Sequence, residues 1–122
     1  FVSVPTPSNP DGSINLEVVD LCLNEIDKVN FSEPIVLLRS TIIPGSSKKF
    51  QNKYPNLNIV FNPEFLTERN ANFDFINQSR IIIGGKKIHT KKVAVLFQTR
   101  FGAKIPIVET NFDRFCQFST IY

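Results

Sequence analysis

Short apolar runs alternate with longer amphipathic stretches along the 122 residues of this chain. The apolar runs end in polar turns, and the stretches between them repeat apolar positions at helical spacing. This alternation is typical of βαβ units, and it predicts an α/β fold in which a parallel sheet is flanked by helices. The predicted strands are 1–4, 35–38, 58–61, 80–83 and 105–108, and the predicted helices are 16–29, 45–54, 63–69 and 86–101.

The spacing of apolar residues also predicts which helix faces are buried. Asn15 is the predicted N-cap of the first helix, because its side chain can accept a bond from a free backbone N–H. The residues predicted to point inward are Leu16, Val19, Leu23 and Ile26 in the first helix and Val93, Leu96 and Phe97 in the last.

Polar turns directly follow three of the predicted strands. They contain Thr6, Thr41 and Glu64, and parallel strands bring their carboxyl ends to one edge of a sheet. We therefore expect these three residues to converge on one cleft. Each alone also fits ordinary turn chemistry, since Thr, Asn and Pro are common in turns. Their convergence favours a functional site.

Two carboxylates follow the turn at Asn62 and Pro63. Glu64 and Glu68 are four residues apart, so the predicted helix 63–69 places them on one face. Like charges at that spacing repel, but a first helical turn tolerates them because its free N–H groups favour negative charge. An acidic helix start without any function is the alternative interpretation.

Charge and composition restrict the classes of partner. The chain has 14 basic and 11 acidic residues, and its excess lies in Lys86, Lys87, Lys91 and Lys92. A solvated helix face explains such a run, so non-specific nucleic-acid binding is the least favoured hypothesis. No apolar run is long enough to span a membrane, and no His or Cys spacing predicts a metal site. Two cysteines without a disulfide framework favour a reducing cytoplasm.

Three segments occur in order along the chain, VPTP at 4–7, RSTIIPG at 39–45 and NPEFL at 62–66, and together they resemble the UDP-glucose/GDP-mannose dehydrogenase family. Val4-Pro-Thr-Pro7 with Asp11-Gly12 is similar to the family's VPTP…DG segment, and RSTIIPG at 39–45 is similar to its KSTVPPG segment. NPEFL at 62–66, followed by Glu68 and by RIIIGG at 80–85, is similar to a third segment. The resemblance covers nearly the whole chain and weakens after Thr110.

The resemblance implies an NAD-dependent oxidation of the C6 hydroxyl of a nucleotide sugar to a carboxylate, in a homo-oligomeric enzyme of polysaccharide biosynthesis. Glu64 would handle protons and support thioester hydrolysis, and Thr41 would hold the catalytic water. Phe65 favours UDP-glucose over UDP-N-acetylhexosamines, whereas GDP-mannose stays open. The residues implied for the cofactor are Val4, Pro5, Thr6, Pro7, Ser8, Ser40, Thr41, Ile42 and Glu68, and those for the substrate are Glu64, Phe65, Leu66, Thr67 and Glu68.

Departures from the family's pattern predict a fragment. The chain contains no Met and no Gly-rich dinucleotide fingerprint. Three strands of a Rossmann-like sheet would precede Phe1, and the family's nucleophilic cysteine would lie beyond Tyr122. We expect 1–110 to be the second half of an NAD-binding domain. We expect 111–122 to be a degenerate start of the central helix, with Gln117 and Ile121 in place of a Lys and an Asn.

The fragment would belong to a nucleotide-sugar 6-dehydrogenase and would be inactive alone. The alternative is a degenerate module that binds a nucleotide or a sugar nucleotide.

Overall fold

Four short strands form one sheet in the computed structural model, which describes residues 1–29 and 31–112. The helices are α1 (Glu17–Lys28), α2 (Ser46–Lys53), α3 (Ala71–Ile76) and α4 (Lys87–Phe101), with 3-10 turns at Glu68–Asn70 and Gly102–Lys104. The strands are β1 (Ile35–Leu38), β2 (Asn58–Phe61), β3 (Ile81–Gly84) and β4 (Ile107–Thr110). The α/β fold class predicted from the sequence is confirmed.

The sheet order is β1-β2-β3-β4, and one of its pairings departs from the predicted parallel sheet. β1 pairs with β2 and β3 pairs with β4 in parallel, but β2 meets β3 antiparallel at Phe61 and Gly84. A parallel connection needs a crossover element that packs on the sheet. The intervening α3 buries none of its residues and cannot serve as one. A side chain at Gly85 would approach the Ile59 carbonyl oxygen to 3.2 Å, so glycine permits the close pairing.

Apolar side chains cover both faces of the sheet. Strand residues alternate between the two faces, so Leu38 joins the core under α1 and α2 while Leu37 joins the core under α4. The helix residues buried in these two cores are Val19 and Leu23 of α1, Phe50 of α2, and Val93, Ala94 and Phe97 of α4. The sheet is therefore a rigid support for the turns at its edges.

Several predicted boundaries and contacts are corrected. Residues 1–4 do not form a full strand, because only Val2 makes a bridge, to Leu38. Asn15 accepts a hydrogen bond from the Glu17 N–H at 2.8 Å, although the N-cap position itself is Leu16. Leu96 is 52% exposed and not inward, because Ala94 takes the place beside Val93 that faces the sheet.

Two further strands are displaced from their predicted bounds. The predicted strands 80–83 and 105–108 lie one and two residues further on, at Ile81–Gly84 and Ile107–Thr110. Within the part of the chain described, no helix is both long and apolar enough to cross a membrane, and no three ligating side chains cluster as a metal site would require. The predicted central helix from 113 on, with Gln117 and Ile121, lies outside the described residues.

Candidate functional site

A cleft of about 380 Å³ opens where β1 and β2 end. The two strands are parallel, so the turns that follow them meet at the same edge of the sheet, as predicted. The cleft is lined by Arg39, Ser40, Thr41 and Ile42 from the first turn, by Phe61 at the end of β2, and by Pro63, Glu64, Phe65, Leu66 and Thr67 from the second. Thr41 and Glu64 thus come together in one site.

The Glu64 carboxylate is held by a charged neighbour on the opposite turn. Arg39 donates from Nη2 to Glu64 Oε2 at 3.2 Å and from Nη1 to Asn62 Oδ1 at 2.6 Å. The Arg39 side chain is only 10% exposed, whereas that of Glu64 is 43% exposed. Asn62 is itself buried and donates from Nδ2 to the Ile82 carbonyl at 2.8 Å. The pair therefore links a buried network to an accessible carboxylate.

Ser40 fixes the other wall of the cleft. Its hydroxyl accepts from the Val4 N–H and donates to the Val4 carbonyl, both at 2.8 Å. Ser40 and Ile42 are buried, whereas Thr41 between them is exposed. This alternation leaves the Thr41 side chain accessible in the cleft.

The first predicted turn does not reach this site. Thr6 is half-buried, but neither it nor Pro5, Pro7 or Ser8 is among the residues that line the cleft. Ser8 instead forms a bridge with Ile14, and the Pro7 carbonyl accepts from the Asn15 N–H at 2.8 Å. The expected convergence therefore holds for Thr41 and Glu64, and Thr6 is not part of it.

The predicted helix 63–69 is absent, so Glu64 and Glu68 do not share a helix face. Residues 63–67 contain no helix, and Glu68 begins the 3-10 turn outside the cleft lining. Asp74 Oδ2 accepts from the Thr67 N–H at 2.9 Å and from its hydroxyl at 2.6 Å. The N–H that a helix would direct to Pro63 is thus bonded elsewhere. These bonds also keep the pKa of Asp74 below its usual value.

Comparisons with known proteins identify the family. The family model for the UDP-glucose/GDP-mannose dehydrogenase family, NAD binding domain, matches residues 1–100. The chain belongs to this family. NAD is accordingly the cofactor of the domain from which these residues come.

Relatives and solved structures agree with this assignment. The UDP-glucose 6-dehydrogenase of Campylobacter jejuni is 36% identical over 100 residues, which are 80% of this chain and 25% of that protein. The GDP-mannose dehydrogenase structure from Pseudomonas aeruginosa has a TM-score of 0.78 at 22% identity, over 99% of this chain and 31% of that one. The structure of a UDP-glucose dehydrogenase from Pyrobaculum islandicum has a TM-score of 0.78 at 24% identity, over 98% of this chain and 29% of that one. The chain therefore spans about a quarter to a third of these proteins, and the structures establish the fold alone.

The cleft residues fit part of a dinucleotide. Ligand pockets are mostly apolar, with a few placed polar groups, and start at about 300 Å³. Here Ile42, Phe65 and Leu66 supply apolar surface, and Thr41 and Glu64 supply polar groups. A nicotinamide ring with its carboxamide needs both. The pyrophosphate of the dinucleotide needs a Gly-rich turn, which these 122 residues do not contain.

A larger cavity, about 800 Å³, lies at the start of α4 and is lined in part by Lys86, Lys87 and Glu109. None of the site residues predicted from the sequence lines it. Its carboxylate is already engaged, because Thr90 Oγ1 donates to Glu109 Oε2 at 2.6 Å. The smaller cleft is therefore the candidate site.

Sequence reasoning missed three residues that shape this site, namely Arg39, Asn62 and Asp74. A usable signal existed for Arg39, because a charged residue directly after the buried run of β1 must find a partner or reach solvent. Asn62 and Glu64 follow β2 at the same edge of the sheet. The side-chain contact of Asp74 with Thr67 had no such signal.

Proposed function

We propose that these residues belong to a nucleotide-sugar 6-dehydrogenase, in which they form the second half of the NAD-binding domain. The observation that carries the proposal is the pairing of an exposed Thr41 with an Arg39-bound Glu64 in one cleft at the ends of two parallel strands. A positioned carboxylate that shares a cleft with a hydroxyl suits a base that activates water.

The proposed reaction converts UDP-glucose, two NAD+ and one water to UDP-glucuronate, two NADH and three protons. Glu64 takes a proton from the attacking water, and the Thr41 hydroxyl holds that water by a hydrogen bond. The acyl group under attack would be carried by the family's cysteine. Cys22 is on α1 and does not line the cleft, so it does not fill that role.

NAD, when bound, accepts a hydride in each of the two oxidation steps. Ser40, Thr41 and Ile42 would line its site in the cleft. The turn from Val4 to Ser8 would contact it from the side, since Ser40 ties Val4 to the cleft wall. Glu68 would lie near the nicotinamide. Glu68 does not line the cleft, so the bound cofactor would have to extend beyond the cleft to contact it.

The nucleotide sugar would contact the segment from Glu64 to Glu68. Thr67 is anchored by Asp74, and residues 63–67 are not helical. Phe65, which is 39% exposed, favours UDP-glucose, and GDP-mannose is the competing substrate. We further propose that the whole enzyme is cytoplasmic, homo-oligomeric and active in polysaccharide biosynthesis.

The test is NADH formation by the full-length protein that carries these residues, with UDP-glucose and GDP-mannose assayed in parallel. We expect two NADH for each UDP-glucose consumed. The isolated 122-residue chain should give no turnover above the blank. If NADH forms with GDP-mannose and not with UDP-glucose, the substrate assignment is wrong. Turnover by the isolated chain would overturn its proposed inactivity.

A second candidate is a module that only binds a nucleotide or a sugar nucleotide. It is favoured by the presence of the cleft in a chain without the fingerprint glycines. Saturable binding of NAD+ or UDP-glucose to the chain by calorimetry, with no turnover by the full-length protein, would support this candidate over the enzyme.

A further inference from the structure

We infer that Arg39 is a positioning residue that fixes the Glu64 carboxylate with one oxygen bound and the other presented to the cleft. The inference rests on the proposed role of Glu64 as a base. It is carried by a chain of side-chain contacts that runs from β3 through Asn62 and Arg39 to Glu64.

Asn62 sets the orientation of the guanidinium. Its Nδ2 donates to the Ile82 carbonyl at 2.8 Å, so its Oδ1 must face the opposite way, toward Arg39. Arg39 Nη1 donates to that oxygen at 2.6 Å. Because a guanidinium is planar and rigid, fixing one of its nitrogens also fixes where Nη2 points. Nη2 points to Glu64.

Phe75 limits the movement of Arg39 from another side. The guanidinium carbon lies 5.6 Å from the centroid of the Phe75 ring, within cation–π range. With this ring and Asn62 around it, the Arg39 side chain is 10% exposed. A charge so enclosed keeps its geometry better than a surface ion pair does.

The Glu64 carboxylate is bound on one side only. Its Oε2 accepts from Arg39, and its Oε1 has no hydrogen-bond partner within residues 1–29 and 31–112. Glu64 and Thr41 line the same cleft. Arg39 thus leaves a lone pair of Glu64 available for a proton while restricting where the carboxylate can rotate. Misplacement of a catalytic group by about 1 Å can cost on the order of 10²-fold in rate.

A lysine cannot reproduce this arrangement. An ammonium group is a point charge without a planar fork, so it can pair with Glu64 but cannot be oriented by Asn62 in the same way. Arg39→Lys should therefore retain part of the positioning, whereas Arg39→Met, which replaces only the aliphatic stem and has no donor, should retain none.

The test compares Arg39→Met, Arg39→Lys, Glu64→Gln and the double variant Arg39→Met/Glu64→Gln in the full-length protein. Lys53→Met is the matched control, because Lys53 pairs with Asp20 outside the cleft at 2.6 Å. We expect Arg39→Met to lower kcat about 10- to 100-fold, as loss of an orienting partner does, with KM for UDP-glucose little changed. Arg39→Lys should fall between wild type and Met, and the double variant should be no slower than Glu64→Gln alone.

Each outcome separates the two proposals. If Glu64→Gln leaves kcat unchanged, the proposed function of Glu64 fails. If Glu64→Gln is slow but Arg39→Met is not, or if the two effects multiply in the double variant, the positioning role alone fails. A raised KM with normal kcat in Arg39→Met would show direct ligand binding by Arg39 and would also overturn the inference.

A measurement on the 122-residue chain needs no turnover. In carboxyl-labelled protein, the Glu64 side-chain ¹³C resonance should shift in Arg39→Lys and stay in place in Lys53→Met. An unchanged Glu64 resonance in Arg39→Lys would refute the contact itself.

Discussion

Asp74 accepts both the backbone N–H and the hydroxyl of Thr67 on a single oxygen, Oδ2, at 2.9 and 2.6 Å. These two bonds join α3 to the end of the segment that lines the cleft. They replace the first-turn bond that a helix over 63–69 would have made, and so keep Glu64 and Phe65 out of a helix. The shape of the candidate site therefore depends on a residue outside it.

Asp74→Ala should loosen this segment without unfolding the sheet. The Thr67 N–H would lose its acceptor, so its hydrogen-exchange protection should fall while that of β1 and β2 is retained. Asp11→Ala is the matched control, because Asp11 accepts from the Ser13 N–H and hydroxyl in the same way in a remote turn. Amide hydrogen exchange measured by NMR on both variants tests this prediction. Unchanged Thr67 protection in Asp74→Ala would contradict the prediction.

The same contact should depend on pH. The Thr67 hydroxyl and then its N–H lower the pKa of Asp74, against a smaller opposing effect of burial. A carboxyl group whose pKa is lowered by folding stabilises the folded state above its unfolded pKa, and this stabilisation is lost as pH falls through the folded pKa. The Thr67 amide shift should therefore be constant at neutral pH and change only in acid. A midpoint at or above the ordinary aspartate range would be inconsistent with these bonds.

The predictable parts of the fold are those dominated by burial. β1 and β2 were predicted to the residue, since a continuous apolar run between polar turns has few alternatives as a buried strand. The antiparallel pairing of Phe61 with Gly84 was not predicted. It follows from the absence of buried residues in α3, which no local sequence pattern indicates.

The site was predictable to a different degree. Its location followed from Thr41 and Glu64 after neighbouring strands, which topology alone brings together. The predicted helix over 63–69 was wrong because helix propensity is a weak preference that one side-chain acceptor, Asp74, can outweigh. Contacts made by side chains across the fold, such as Arg39 with Asn62, are set by geometry that appears only after folding.

The exposed edge beside Val2 should promote self-association. The Val2 N–H donates to the Leu37 carbonyl of β1, and the Val2 carbonyl accepts from the Arg39 N–H just after β1. The N–H and carbonyl of Ser3 therefore point away from the sheet. Bare strand edges pair with other chains. Ser3→Pro removes the outward donor and leaves the bonds of Val2 intact.

We therefore expect the 122-residue chain to associate with rising concentration in sedimentation experiments, and Ser3→Pro to weaken that association without loss of helical signal. A wild-type chain that stays monomeric at all concentrations would contradict this expectation.

Tyr54 should stabilise the packing of α1 against α2. Its hydroxyl donates to Asp20 Oδ1 at 2.8 Å, and its side chain is buried. Tyr54→Phe keeps the ring and deletes the contacts of the hydroxyl with the Asp20 carboxylate and backbone carbonyl, so the free energy of unfolding should fall by about 1 kcal/mol. Urea denaturation should show a lower midpoint with an unchanged slope. Thr99→Val is a suitable control, since the exposed Thr99 hydroxyl donates to the Val95 carbonyl within its own helix.

Glu64 and Glu68 should have separable effects in the full-length enzyme, because the structure places them differently. Glu64 is in the cleft and bound to Arg39, whereas Glu68 begins a 3-10 turn outside the cleft lining. Glu64→Gln keeps the size of the side chain but removes the base, so hydrolysis should slow by about 10²–10⁴-fold and acyl-enzyme should accumulate. Glu68→Gln should act through cofactor and substrate placement and raise KM more than it lowers the chemical step.

Pre-steady-state kinetics on the two variants distinguish these roles. A burst of NADH followed by slow turnover is expected for Glu64→Gln and not for Glu68→Gln, because only the former would block a step after oxidation. The alternative is that Glu64 and Glu68 have no function beyond being acidic residues after a strand end. It predicts near-normal kinetics and a small loss of thermal stability in each variant. If both variants keep wild-type turnover, the catalytic assignment of Glu64 is wrong, and its contact with Arg39 serves only to hold the turn after β2.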